Sequence, residues 1–284
     1  MLPVLFHLGP ITIYSYGLMM ASAFLAGEWI VASEFKRKGY EAERASTLVL
    51  WVAVAGIVSA RLYYIADHWA EFVENPWSLI FTGAGFVYYG GFIGGVLASY
   101  IFARRFRIPW LKIADIGVTA LVLGHAIGRI GCLLSGDGDW GVITNLPWAM
   151  RFPNGIAGWN RETVRALDSH GTLVYAFGPG VAVPPSVGVH PTPIYEAILY
   201  FGVFLLMWSL RKRNSIDGRL FYLYLILVGF IRLMVEFIRI NARVMFGLTE
   251  AQLISLIMIA VGSVALILTS ARREALPAAR TAQA

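Results

Sequence analysis

Charge is scarce in this sequence. Asp, Glu, Lys and Arg make up only 14% of its 284 residues, against roughly a quarter in an ordinary globular domain. A chain with so few charges and so much apolar surface is excluded from the soluble class, because a core grows only with domain size. Cysteine is almost missing. The single Cys132 excludes an internal disulfide and any Cys-rich metal site. The opening residues, MLPVLFHLGP, lack a basic n-region and a small-residue cleavage site, so no removable signal peptide is expected. There is also no internal repeat and no inverted symmetry of the kind that transporters carry.

What the chain does have is apolar length. Hydrophobic residues make up 58% of it, with a mean hydropathy of +0.66. Several runs reach the 18 or so nearly uncharged residues that cross a bilayer core of about 30 Å. Seven spans are expected, at about 12–33, 47–66, 85–103, 113–134, 193–210, 219–238 and 251–270. The fold expected is therefore an all-α polytopic membrane protein, a single membrane domain over residues 1–284. The net charge of +6 would suit nucleic acid in a soluble protein. In a membrane protein basic residues set topology, so their positions matter more than their sum, and no nucleic-acid partner is expected.

Those positions orient the chain. Lys36, Arg37, Lys38, Arg44, Arg104, Arg105, Arg107, Lys112, Arg211, Lys212, Arg213, Arg219, Arg272, Arg273 and Arg280 fall on one side of the spans. Only Arg151, Arg161, Arg165, Arg239 and Arg243 fall on the other. The positive-inside rule makes the first side cytoplasmic, with the N-terminus outside and the C-terminus inside. The long connection 135–192 then lies outside. It is rich in Gly and Pro and holds Trp140, Trp148 and Trp159, which a disordered linker would not carry. A small folded cap, or interfacial arms at headgroup level, is expected there. The tail 274–284 is expected to be disordered.

Arg61, Arg129 and Arg232 remain, each inside an expected span. An arginine at mid-bilayer costs on the order of 2.5–3.5 kcal/mol on insertion scales. Snorkelling to the outer interface is one explanation, and a functional site is the other. The orientation gathers the polar groups of six spans at one depth: Tyr14 and Tyr16; Arg61, Tyr63 and Tyr64; Tyr88 and Tyr89 with Gly90 and Gly91; His125, Arg129, Ser135, Asp137 and Asp139; His190, Tyr195 and Glu196; Arg232, Glu236 and Arg239. His125 and Arg129 share a helix face, as do Arg232 and Glu236. One acid between two arginines leaves positive charge unspent, with Glu196 available to balance part of it. Such a pocket suits a phosphate-bearing lipid, since guanidinium matches phosphate oxygens bidentately. The competing account is an ion-pair network that only holds helices together, although buried ions are costly as pure stabilisers.

The same residues carry a likeness. GRIGCLLSGDGDWG, residues 128–141, resembles the signature segment of the prolipoprotein diacylglyceryl transferase family. YGLMM at Tyr16, ARLYY around Arg61, YYGGFIGG at Tyr88, HPTPIYE at His190 and RLMVEFIR from Arg232 agree in order and spacing. The resemblance implies a multi-pass enzyme of the bacterial inner membrane. It would move a diacylglyceryl group from phosphatidylglycerol to the lipobox cysteine of a prolipoprotein signal peptide, forming a thioether and releasing glycerol phosphate. It would act as a monomer, without a metal or other cofactor. By position it implies that Arg129 and Arg232 clamp the phosphate. Tyr16, Gly136, Gly141, His190, Tyr195, Glu196, Glu236 and Arg239 match further motif positions.

Three departures bear on the chemistry. Tyr89 stands where the family usually has a third-span histidine, Cys132 where it has asparagine, and Asp137 where it has glutamate, with one extra residue before Gly141. A thiol of pKa about 8.5 needs help to ionise, and a tyrosine of pKa about 10 is a poor base near neutrality. His125, one turn before Arg129, is expected to take that role; the other reading is a histidine packed between helices. Cys132 reads as a small packing residue rather than a covalent relay. Gly90 and Gly91 fit helix packing and headgroup approach equally. The alternatives to the lipoprotein-modifying activity are a relative using the same lipid pocket on another acceptor, and a lipid or small-molecule transporter.

Overall fold

The computed structural model describes residues 1–9, 11–81, 87–213 and 216–281. The first two residues of the expected third span, 85–86, and the last three of the expected tail, 282–284, lie outside them; residues 274–281 of that tail, expected to be disordered, are the last turns of a helix that ends at Thr281. In chain order the elements are β1 (Val4–Leu8), β2 (Ile11–Tyr14), α1 (Ser15–Arg37), α2 (Glu43–Asp67), α3 (Trp69–Glu74), α4 (Pro76–Phe81), α5 (Tyr88–Arg105), α6 (Trp110–Ser135), β3 (Arg165–Leu167), β4 (Leu173–Tyr175), α7 (Thr192–Leu210), α8 (Arg219–Glu236), β5 (Arg243–Met245), β6 (Leu248–Thr249) and α9 (Glu250–Thr281). The chain is mostly helical, and α1, α2, α6, α7 and α9 are long and apolar enough to cross a membrane. The two other long helices, α5 and α8, have 18 residues each. Each carries an interruption to apolarity: four glycines and a terminal Arg104, Arg105 pair in α5, and Arg232 with Glu236 in α8.

Among the described residues, three two-stranded antiparallel sheets accompany the helices of a fold expected to be all-α. The first changes the start of the first span. Residues 11–14 alternate Ile-Thr-Ile-Tyr, a strand period, and pair back on β1 with His7 opposite Thr12. The His7 ring joins the Thr12 hydroxyl at 3.0 Å. The helix therefore begins at Ser15 rather than near residue 12. Likewise the stretch after α2 forms α3 and α4, too short to show a helical period in sequence.

The chain divides into two compact units, residues 1–26 with 121–284, and residues 27–120. The second unit is built on α2 and α5, with a core of Val31, Phe35, Leu48, Phe102, Ile113 and neighbours. Here the glycines of α5 permit close helix approach: a methyl at Gly90 would lie 2.5 Å from the Ser59 carbonyl oxygen on α2. Basic residues at the ends of α1 (Lys36, Arg37) and α5 face the negative ends of the helix dipoles.

In the first unit the stretch from Trp140 to Val189 has its own core. Trp140, Phe152, Val164, Val183 and Val189 are buried together, and Trp140 stacks on Phe152 with centroids 4.8 Å apart. The indole N–H of Trp140 donates to the Thr163 carbonyl at 2.6 Å, and that of Trp159 to the Pro184 carbonyl at 3.2 Å. Both polar tips are thus satisfied, as buried tryptophans require.

Candidate active site

Three segments meet at Gly141. Its N–H donates to the His190 carbonyl at 2.8 Å, and the Val142 N–H to the Ile238 carbonyl at 2.9 Å. A side chain at Gly141 would strike the Ile238 oxygen at 2.5 Å and the His190 Cβ at 2.9 Å, so only glycine lets the backbones close this far. Five residues earlier, Gly136 turns the chain out of α6 at φ +62, against the backbone of Gly155. These two positions bring the end of α6, the start of α7 and the end of α8 together.

The result is an ionic cluster of three arginines and three carboxylates. Glu196 from α7 is fully buried. It takes Arg129 Nε on Oε2 at 3.0 Å, Arg232 Nη1 on Oε1 at 3.1 Å and Arg239 Nη1 on Oε2 at 3.3 Å. Glu236 pairs with Arg232 Nη2 at 3.0 Å and approaches Arg239 Nε at 3.8 Å; Asn241 Nδ2 donates to its other oxygen at 2.7 Å. Asp139 is the third acid, ion-paired to both Arg129 and Arg239, with its own carbonyl accepting from the Thr192 hydroxyl. The spacing of Arg232, Glu236 and Arg239 foretold half of this. Asp139 was expected at this depth but given no role in the site, and its two ion pairs replace the expected surplus of positive charge with a balanced set.

The arginines are not equivalent. Arg239 is 5% exposed, whereas Arg129 and Arg232 are 21% and 22% exposed. Arg129 spends Nε and Nη1 on the acids and Arg232 spends Nη1 and Nη2. Arg129 Nη2 and Arg232 Nε have no protein partner among the described residues. Buried carboxylates thus hold two guanidinium groups in place from behind and leave N–H donors facing outward. A bound oxyanion would meet these preset donors without reorganisation.

Around this cluster stand the other residues the sequence singled out. Cys132 is buried, its Sγ 3.8 Å from Arg129 Nη1. Asp137 has a carboxylate oxygen within 4.8 Å of the Cys132 sulfur and accepts the Asp139 N–H at 3.2 Å. Burial and the neighbouring Asp139 charge push the Asp137 carboxyl above the usual range. Asp139 is also buried, which alone would raise it, yet Arg239 and Arg129 hold it below the usual range. Tyr16, on α1, lies within electrostatic reach of Cys132, Asp137 and Arg129. Tyr195 accepts from the Trp148 indole at 2.8 Å and lies 3.3 Å from His190 Nδ1; burial lowers the His190 imidazole. His125 packs against the Tyr200 ring at 5.3 Å, and its buried Nδ1 has no hydrogen-bond partner among the described residues.

Four expected site residues belong to the second unit. Arg61 donates to the Ile80 carbonyl at 3.1 Å and lies over the Tyr64 ring. Tyr89 follows the first residue of α5, while Gly90 and Gly91 face Ser59 and Gly56 of α2. One set of donors is compact enough for a cation: Cys132, Asp137 and Asp139 present ligand atoms within 4.8 Å of one another. Asp139, however, has one oxygen on Arg129 and the other on Arg239. That leaves a thiol and a single carboxylate.

Comparison with known proteins then decides the family, since the model of prolipoprotein diacylglyceryl transferase matches residues 3–268. The chain belongs to the prolipoprotein diacylglyceryl transferase family. Curated relatives span nearly its whole length, each called phosphatidylglycerol–prolipoprotein diacylglyceryl transferase. The protein from Clostridioides difficile is 30% identical over 95% of this chain and 96% of its own. That from Nostoc sp. is 32% identical over 97% and 92%. That from Clostridium tetani is 33% identical over 92% and 95%. The signature segment that carried the resemblance, residues 128–141, is the segment that delivers Arg129 and Asp139 to the cluster and sets Asp137 and Gly141 beside it.

Proposed function

We propose that this chain transfers the diacylglyceryl group of phosphatidylglycerol to the lipobox cysteine thiol of prolipoproteins, the first step of lipoprotein maturation. The observation that carries this is the pair of part-exposed guanidiniums, Arg129 and Arg232, backed by one buried carboxylate, Glu196. The reaction is displacement at a saturated carbon. The sulfur–carbon bond forms, the bond from that carbon to the phosphate oxygen breaks, and glycerol phosphate departs with the electron pair. Two arginines on that phosphate stabilise the charge that grows on it, and their fixed planes orient the ester for attack.

Seven helices, α1, α2, α5, α6, α7, α8 and α9, cross the inner membrane in this reading. An 18-residue helix is about 27 Å long, close to the hydrocarbon thickness of about 30 Å. The distribution of basic residues supports a periplasmic N-terminus and a cytoplasmic C-terminus, with 135–192 as a periplasmic cap on a single membrane domain acting as a monomer. Tyr16, Gly136, Gly141, His190, Tyr195, Glu236 and Arg239 line or brace the lipid headgroup site; by their motif positions Arg61, Gly90 and Gly91 are further substrate-binding residues and Tyr89 a further catalytic one. Near Arg129, His125 on the preceding turn and Asp137 on the following loop are the two groups able to accept the thiol proton.

The test is product mass. Purified protein in micelles with phosphatidylglycerol converts a lipobox peptide to a species heavier by one diacylglyceryl group, stable to thiol reductants and absent for a Cys→Ser peptide. A peptide recovered unmodified while phosphatidylglycerol is consumed would assign the lipid to another acceptor.

A further inference from the structure

Among the acids around Arg129, Asp137 differs from the rest. Glu196, Glu236 and Asp139 are ion-paired to arginines, whereas Asp137 makes no ion pair among the described residues. What it does face is a thiol: a carboxylate oxygen lies within 4.8 Å of the Cys132 sulfur, which is itself 3.8 Å from Arg129 Nη1. Guanidinium, sulfur and carboxylate therefore already stand side by side in this chain. A substrate thiol must reach the same juxtaposition, because the carbon it attacks is one bond from the phosphate oxygen and reacting atoms approach to about 3–3.5 Å.

We propose that Asp137 is the catalytic base that takes the proton from the lipobox thiol, an assignment that rests on the transferase reading above. The proton passes from sulfur to the Asp137 carboxylate as the sulfur–carbon bond forms. It then passes to the departing phosphate, so that Asp137 is ionised again when glycerol phosphate leaves. Four neighbours face the carboxylate: Tyr16 from α1, Arg129 and Cys132 from α6, and Asp139 from its own loop. Burial and the Asp139 charge raise its proton affinity, which brings a carboxylate closer to the thiol it must deprotonate. Tyr89 need not supply the base, which accounts for a family member lacking the third-span histidine.

The experiment follows glycerol phosphate release by the full chain in micelles, with phosphatidylglycerol and a lipobox peptide, from about pH 6 to about pH 9.5, a range spanning the free thiol pKa of about 8.5. Wild type is compared with Asp137→Asn, Asp137→Glu and His125→Gln. Asp137→Asn loses about a hundredfold or more of kcat at neutral pH, and the deficit shrinks toward the upper end as the thiol ionises unaided. Asp137→Glu recovers part of the loss, and phosphatidylglycerol binding by Asp137→Asn stays at the wild-type level. A deficit equal at every pH overturns the proposal, since a structural role would behave so. It is equally overturned if the pH-dependent deficit belongs to His125→Gln and not to Asp137→Asn. Absence of release by the wild type is a separate result, which removes the transferase reading itself and this assignment with it.

Discussion

Arg129 and Glu196 come from different helices, α6 and α7, and meet at 3.0 Å from Nε to Oε2 with Glu196 sealed from solvent. The same carboxylate holds Arg232 and Arg239, so one buried anion sets the positions of three cations. Its desolvation would be prohibitive alone; three guanidinium partners offset it. In the proposed reaction cluster and catalysis are thereby coupled, because the groups that hold the helix ends together include the two arginines assigned to the lipid phosphate.

Glu196→Gln tests that coupling. The amide keeps the shape but removes the charge, leaving Asp139 and Glu236 to balance three arginines. Breaking one side of a buried pair costs about 3–5 kcal/mol, so a marked fall in Tm in micelles is expected together with loss of turnover. An unchanged Tm would mean that the cluster does not hold this end of the fold.

Arg129→Lys and Arg232→Lys separate charge from geometry. Lysine is a point charge without the planar fork, and it cannot hold both acids and a phosphate at once. Each variant is expected to retain phosphatidylglycerol binding in part and to lose turnover by about a hundredfold, the scale for removing one donor to a developing oxyanion. Wild-type turnover in either variant would exclude a bidentate role for that residue.

The two neighbouring aspartates should respond to pH in opposite directions. Asp139 is held below the usual carboxyl range. Its charged form therefore stabilises the fold above the unfolded pKa of about 3.9, and that contribution disappears as pH falls through the lower folded value. Asp137 is raised, so its ionisation costs stability at neutral pH and the cost disappears as pH falls toward the unfolded value. Melting curves across acid to neutral pH should show Asp139→Asn below wild type and Asp137→Asn above it at neutrality, the second difference closing in acid. Equal destabilisation by both would contradict this account. Such a cost is the trade expected of the catalytic role proposed for Asp137.

Much of this was legible in the chain. Of the spans expected from apolar length, five fall on helices long and apolar enough to cross a membrane, α1, α2, α6, α7 and α9, because length and hydropathy leave few alternatives in a bilayer. The Arg232, Glu236 and Arg239 stripe was legible too, since i,i+3 and i,i+4 neighbours share a helix face. The depth of Asp139 was legible but its partner was not, because the pairing with Arg239 joins residues 100 positions apart and no helical period relates them. A clue did exist in the extra residue before Gly141, which lengthens the loop that carries both aspartates. The β1–β2 hairpin was missed because a few alternating residues sit at the head of a long apolar run and were absorbed into it.

The central claim is that Arg129 drives departure of glycerol phosphate from a lipid attacked by a thiol. The most direct measurement is glycerol phosphate release in micelles from phosphatidylglycerol, with a lipobox peptide or its Cys→Ser counterpart, by the wild type and Arg129→Ala. Release by the wild type that requires both the peptide thiol and Arg129 is the predicted result. Release that persists with the Cys→Ser peptide, or that Arg129→Ala leaves undiminished, would contradict it.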